Sequence, residues 1–108
     1  MTDAAVRLCD VSMVPSESDL PVQIEGRATL AVFRVGEEFF VTDDLCTHGG
    51  ASLSEGALCD DEIECPFHLG RFSLRTGAVT RSPCTDPLAV YPCEVRNGAV
   101  YAFLSSEG

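Results

Sequence analysis

The chain has 108 residues, room for one domain with a modest core, and its 45% apolar and 22% charged content is that of a folding globular chain, which excludes disorder and collagen-like repeats. Its net charge of −10 comes from 17 acidic residues against 7 basic ones, all arginine, a balance that repels phosphate backbones and argues against nucleic-acid binding. Apolar runs such as Ala99 to Leu104 fall far short of a membrane span and Met1-Thr2-Asp3 opens no basic-then-apolar leader, so a cytoplasmic protein with no membrane attachment is expected.

In chain order, the Pro- and Ser-containing segment from Val14 to Pro21 reads as a loop after a first strand. Leu30, Val32 and Arg34 then alternate with Ala31, Phe33 and Val35; a break at Gly36 and a second run, Phe39-Phe40-Val41, predict a hairpin. The segment from Asp43 to Pro87 carries most of the glycines, both histidines and four of the six cysteines, and is where function is expected to sit. Within it, Gly56 to Cys59 and Glu62 to Glu64 read as short strands around an Asp60-Asp61 turn. After it, Tyr91, Cys93 and Val95 lead into Asn97-Gly98 and the run Ala99 to Leu104, which predicts a strand, a type I′-like turn and a returning strand. No segment sustains a helical period, so the fold class is all-β.

Six cysteines in a short chain could form a disulfide scaffold, but nothing supplies the oxidising context this needs, and metal ligation is the better reading. The chain's only two histidines each stand beside a cysteine, in Cys46-Thr47-His48 and Cys65-Pro66-Phe67-His68, with sixteen residues between His48 and Cys65. The intervening strand, turn and strand bring Cys65 back toward His48. Gly49 and Gly50 permit close approach of the backbone to a cofactor, and Pro66 stiffens the second loop. Cys9, Cys59, Cys84 and Cys93 lack ligand spacing and read as small apolar residues in a reducing compartment.

At these residues the sequence resembles the Rieske family, whose motif is a CxH pair followed by a CxxH pair, and within it the soluble ferredoxins of bacterial aromatic-ring dioxygenase systems. The run from Cys46 to Gly56, the second pair, Arg75-Thr76-Gly77 and the Pro83 to Pro87 loop with Leu88 carry the likeness. The resemblance implies an antiparallel β-sandwich with a small cluster-binding subdomain at about 43–87, in a single domain over 1–108. It further implies one [2Fe-2S] cluster, with Cys46 and Cys65 on one iron and His48 and His68 on the other.

Two neutral imidazoles in place of two thiolates change the oxidised unit from −2 to zero and raise the reduction potential. High-potential members place a serine and a tyrosine where Gly70 and Phe72 stand here, and a disulfide where Ala51 and Phe67 stand. Their absence implies a potential toward the low end of the family's range. The implied role is a monomeric one-electron shuttle, itself no enzyme, between a flavoprotein NAD(P)H-dependent ferredoxin reductase and a terminal Rieske oxygenase. Asp43, Asp44 and Glu55 could meet such partners, although solvated loop residues are the commoner explanation, and Arg71, Arg75 and Arg81 could offset them. Two alternatives are a Rieske-like small subunit of a nitrite or other reductase and a structural Cys₂His₂ zinc module. The one-residue gap of CxH fits zinc poorly.

Overall fold

The structure, a computed structural model, describes residues 5–47, 51–66, 69–82 and 86–104. These form eleven short strands: β1 (Ala5–Asp10), β2 (Ser18–Val22), β3 (Leu30–Val35), β4 (Glu38–Asp43), β5 (Ala57–Cys59), β6 (Glu62–Glu64), β7 (Arg71–Ser73), β8 (Val79–Arg81), β9 (Val90–Tyr91), β10 (Cys93–Arg96) and β11 (Ala99–Phe103). Two single-turn 3-10 helices, Val11–Met13 and Leu53–Glu55, are the helical elements among the described residues. The strands pair antiparallel in three sheets, in the orders β1-β11-β10, β2-β3-β4-β9 and β5-β6-β7-β8.

The arrangement follows from β3. Leu30, Ala31, Val32 and Phe33 are all fully buried, although successive side chains in a strand point to opposite faces. Leu30 and Val32 pack with Val41 of β4 against Leu8 and Cys9 of β1 and Val100 and Ala102 of β11. Ala31 and Phe33 pack instead with Ile63, Phe72 and Leu74, in or beside the third sheet. The middle sheet thus has a covered face on each side, and the unbroken apolar run Leu-Ala-Val-Phe is what a doubly covered strand requires. Each large side chain so buried contributes about 1.5–3 kcal/mol relative to exposure.

Turns close the ladders where the residues allow left-handed backbone. The β3–β4 hairpin turns at Gly36, φ +61°. In the β10–β11 hairpin Asn97 and Gly98 have φ of +47° and +78°, the type I′ geometry that matches strand twist. Asp60, φ +58°, turns β5 into β6.

Two sequence expectations are corrected. Part of the expected loop from Val14 to Pro21 is strand, because Ser18 to Val22 pairs residue by residue with β3. Pro21 is tolerated since β2 is an edge strand, where a missing N–H costs no ladder bond. The expected single strand before Asn97-Gly98 is divided at Pro92: Val90–Tyr91 pairs with β4, whereas Cys93–Arg96 pairs with β11. Proline has no N–H to continue one ladder, and its carbonyl accepts from Phe103 N–H at 2.9 Å, so the chain changes sheet there.

The third sheet is tied to the middle one by Arg75. Its Nε donates to Asp61 at 2.8 Å and its two terminal nitrogens to Glu38 at 3.1 and 2.6 Å, while the guanidinium lies 5.2 Å from the Phe40 ring centroid. The Glu38 carboxyl is held below its usual value chiefly by that hydrogen bond.

Candidate metal centre

Beyond β4 the chain enters the segment of the first Cys-His pair through Asp44 and Leu45. Alternation buries Asp44 and Cys46, at 8% and 2% exposure, and leaves Leu45 exposed. The loop is closed at its base by an isolated antiparallel bridge between Leu45 and Ser52 and by Cys46 N–H donating to Ala51 carbonyl at 2.8 Å. The 3-10 turn Leu53–Glu55 follows, with Leu53 N–H donating to Asp44 carbonyl at 2.7 Å. Thr47 Oγ donates to Asp86 carbonyl at 2.8 Å, which ties this loop to the proline-flanked segment before Leu88.

The segment of the second Cys-His pair connects β6 to β7, whose last ladder pair is Glu64 with Arg71. Cys65, fully buried, donates its N–H to Gly70 carbonyl at 2.7 Å. Both cysteines therefore close their loops in the same manner, each N–H reaching the carbonyl five residues on. Leu69 has φ +61° and remains half exposed. A large apolar residue in left-handed backbone is costly, and closure of the loop by the adjacent Cys65–Gly70 bond enforces it.

The two segments meet at Gly56, at the start of the expected strand Gly56 to Cys59. A Cβ there would lie 2.0 Å from Glu64 carbonyl oxygen, one residue before Cys65, so only glycine lets the exit of the first loop touch the entry to the second. Cys46 and Cys65 accordingly fall in one buried cluster with Ala51, Leu53, Ile63 and Phe72.

His48 and His68 lie outside the described residues, as do Gly49, Gly50, Phe67, Pro83 and Cys84. Among the described residues no three His, Cys, Asp or Glu side chains converge as a metal site. The donor set fits an iron–sulfur group nonetheless: two buried sulfurs, on loops fixed by their own main-chain bonds, face one core. Gly70 is buried and Phe72 is fully buried among apolar neighbours, so neither offers a side-chain donor to sulfur. Of the other cysteines, Cys9 is buried, Cys59 and Cys93 are half-buried, and burial raises the thiol pKa of Cys9 and Cys93. Cys93 Sγ donates to Phe39 carbonyl at 3.2 Å.

The charges differ from expectation. Asp44 is not a solvated loop residue or a partner contact: it is buried, accepting from Ser52 Oγ at 2.6 Å and Ser54 N–H at 2.8 Å. Asp43 is half-buried and accepts from Tyr91 hydroxyl at 2.7 Å, which in turn accepts from Arg27 at 2.9 Å. Arg71, Arg75 and Arg81 offset none of Asp43, Asp44 and Glu55; they pair with Glu62, Glu64, Glu38 and Asp61. Glu62 and Glu64 lie on the strand beside Arg71, while Asp61 and Glu38 are brought to Arg75 by the β5–β6 turn and the neighbouring sheet.

Behind Asp44, the Asp19 carboxyl is pushed up to about 6, first by burial and then by the Asp44 charge. Its folded value lies above its unfolded one, so the folded state holds more protons between about pH 4 and 6 and loses stability as pH rises through that window. Asp19→Asn is therefore expected to melt higher than wild type at neutral pH, with the gap closing as pH falls toward 4. Thermal unfolding across that range measures this, and a gap independent of pH would contradict it.

Comparison with known proteins decides the family. The Rieske [2Fe-2S] domain profile matches residues 4–92. The chain belongs to the Rieske family. This Rieske chain is 48% identical over 101 residues to ferredoxin CarAc of Metapseudomonas resinovorans, covering 94% of each chain. A solved complex of reduced oxygenase and oxidised ferredoxin in carbazole 1,9a-dioxygenase contains a chain 48% identical to it, with a TM-score of 0.87 over 92% of both. The ferredoxin of Sphingomonas yanoikuyae B1 is 41% identical with a TM-score of 0.89, over 94% of this chain and all of that one. The Rieske chain is accordingly an electron carrier with one [2Fe-2S] cluster and not itself an enzyme, which displaces the zinc alternative.

Proposed function

We propose that this chain is the ferredoxin of a multicomponent aromatic-ring dioxygenase system, receiving electrons from a flavoprotein NAD(P)H-dependent reductase and passing them singly to a terminal Rieske oxygenase. In this reading Cys46, His48, Cys65 and His68 hold the cluster, in a subdomain at about 43–87 of a single domain over 1–108. The observation that carries it is the pair of buried cysteines, each closing its loop on a carbonyl five residues on, brought into one core by the Gly56–Glu64 contact. Near-half identity to ferredoxin components supports the partner assignment.

When bound, the cluster supplies a centre that takes up and gives back one electron. The chain's own residues do the rest. Cys46 and Cys65 hold their sulfurs away from water, and His48 and His68 follow them in the sequence by two and three residues. Leu45 and Leu69, 57% and 53% exposed, flank the two pairs and offer apolar contact to a partner. The net charge of −10 favours basic partner surfaces and transient, salt-sensitive docking. The same negative charge on every copy opposes self-association, which supports a monomer. A cytoplasmic location accords with the reduced cysteines this chemistry needs. Gly70 and Phe72 supply no side-chain hydrogen bond to sulfur, which supports a potential low in the Rieske range.

Electron paramagnetic resonance of the reduced protein, with assay of acid-labile sulfide, tests the cofactor and its mixed nitrogen and sulfur ligation. His68→Cys tests the ligand set. Restoring negative charge at the histidine-ligated iron is expected to lower the reduction potential by on the order of 100 mV. An unchanged or higher potential in voltammetry would remove His68 from the ligand set.

A further inference from the structure

We propose that Asp44 is the positioning residue of the first ligand pair: its buried carboxylate clamps both ends of the loop that presents Cys46 and His48. The inference rests on the ligand assignment above. Every polar group of Asp44 is committed across the loop or to the sheet beneath it. Its N–H donates to Thr29 carbonyl at 3.0 Å, which anchors it to the residue before β3. Its carbonyl accepts from Leu53 N–H at 2.7 Å. Its two carboxylate oxygens accept from Ser52 Oγ at 2.6 Å and Ser54 N–H at 2.8 Å, eight and ten residues on. Ser52 and Ser54 hydroxyls lie 2.9 Å apart, so the side chains beyond the loop form one short network with the carboxylate.

The base of this loop is thus closed in the main chain by the Leu45–Ser52 bridge and the Cys46–Ala51 bond, and across its side chains by the Asp44 carboxylate. Asp44 is not placed there for its charge. All seven arginines form their ion pairs with other acids, and the neighbouring Asp19 feels Asp44 as a repulsion. A buried carboxylate without a basic partner costs stability unless its hydrogen bonds are good, and short charge-assisted bonds to two donors meet that condition. What the residue gains is geometry: Cys46 is two positions away and its N–H bond to Ala51 lies directly above the clamp.

The test uses holo-protein with Asp44→Ala, Asp44→Asn and Ser52→Ala. Alanine removes both contacts. Asparagine can keep both, its oxygen toward Ser54 N–H and its amide toward the Ser52 hydroxyl, while discarding the charge. Expected are shifted g-values in the reduced spectrum and cluster loss in air at least tenfold faster for Asp44→Ala, a smaller change of the same kind for Ser52→Ala, and recovery of the wild-type spectrum in Asp44→Asn. Wild-type spectra and half-lives in Asp44→Ala, even with a lowered melting temperature, would overturn the proposal. So would Asp44→Asn disturbed as far as Asp44→Ala, since charge and not position would then be the agent. Should Asp44→Ala assemble no cluster, Ser52→Ala decides, and a wild-type spectrum there overturns the clamp. Failure of the ligand assignment reads differently, because the wild-type protein itself would then lack the mixed-ligand signal.

Discussion

Cys65→Ser is expected to yield protein with less than about a tenth of the wild-type iron and acid-labile sulfide, and to lose the visible absorption of the cluster. Cys65 has no exposure to solvent, and its N–H is already spent on Gly70, so the loop cannot move a different donor into its place. A serine hydroxyl is a far weaker acid than a thiol and a harder ligand, and it is a poor substitute for thiolate at an iron–sulfur centre. The comparison that gives the result meaning is Cys59→Ser. Cys59 is half-buried at the end of β5, away from the loop closures, and its Sγ reaches only Ala57 carbonyl at 4.0 Å. That variant should keep the full cluster content. Equal content in both variants would show that Cys65 is not a ligand.

Gly77→Ala is expected to destabilise the folded protein by about 3 kcal/mol or more, enough to lower the melting temperature by more than 10 °C in a chain of this size. Two costs add. Gly77 has φ of +81°, which an alanine adopts only with strain of about 1 kcal/mol. Its Cβ would also lie 2.0 Å from Leu88 carbonyl oxygen, a contact that only main-chain displacement can relieve. That displacement would break the bond from Leu88 N–H to Gly77 carbonyl, 2.8 Å, and unseat Leu88 from the core it shares with Cys46 and Cys65. Gly36→Ala separates the two costs. Gly36 also has positive φ, +61°, but nothing lies within 4 Å of its Cβ position, so only the conformational cost of about 1 kcal/mol applies. Denaturant unfolding of the two variants side by side measures the difference, and similar losses would mean that the Leu88 contact carries no weight.

The elements that could be read from the residues were those whose cause is local. Asn97-Gly98 declares a type I′ turn because both residues accept positive φ, and the observed angles agree. Asp60 does the same for the β5–β6 hairpin, and Gly36 for β3–β4. Pro21 was misread for the converse reason. Its ring forbids a ladder bond only if the N–H faces a neighbour, and whether β2 is an edge strand is a property of the sheet. Pro92 divided an expected strand because the choice between two ladders is made by what lies on either side of it. Asp44 departs furthest from what its sequence neighbours imply. Beside Asp43 and before a cysteine it looked like any solvated loop acid, and the one available signal was the pair of serines eight and ten residues on that can donate to it.

By itself, the sequence determined the cofactor class, the all-β character and the position of the turns, because ligand identity and backbone preference belong to single residues and short spacings. Tertiary structure alone decided that Leu30 and Val32 serve one core while Ala31 and Phe33 serve the other, that Gly56 and Gly77 stand where another segment's carbonyl leaves no room for a Cβ, and that Asp44 faces inward. Burial and close approach are relations between segments far apart in the chain. No spacing within one segment encodes which face of another it will meet.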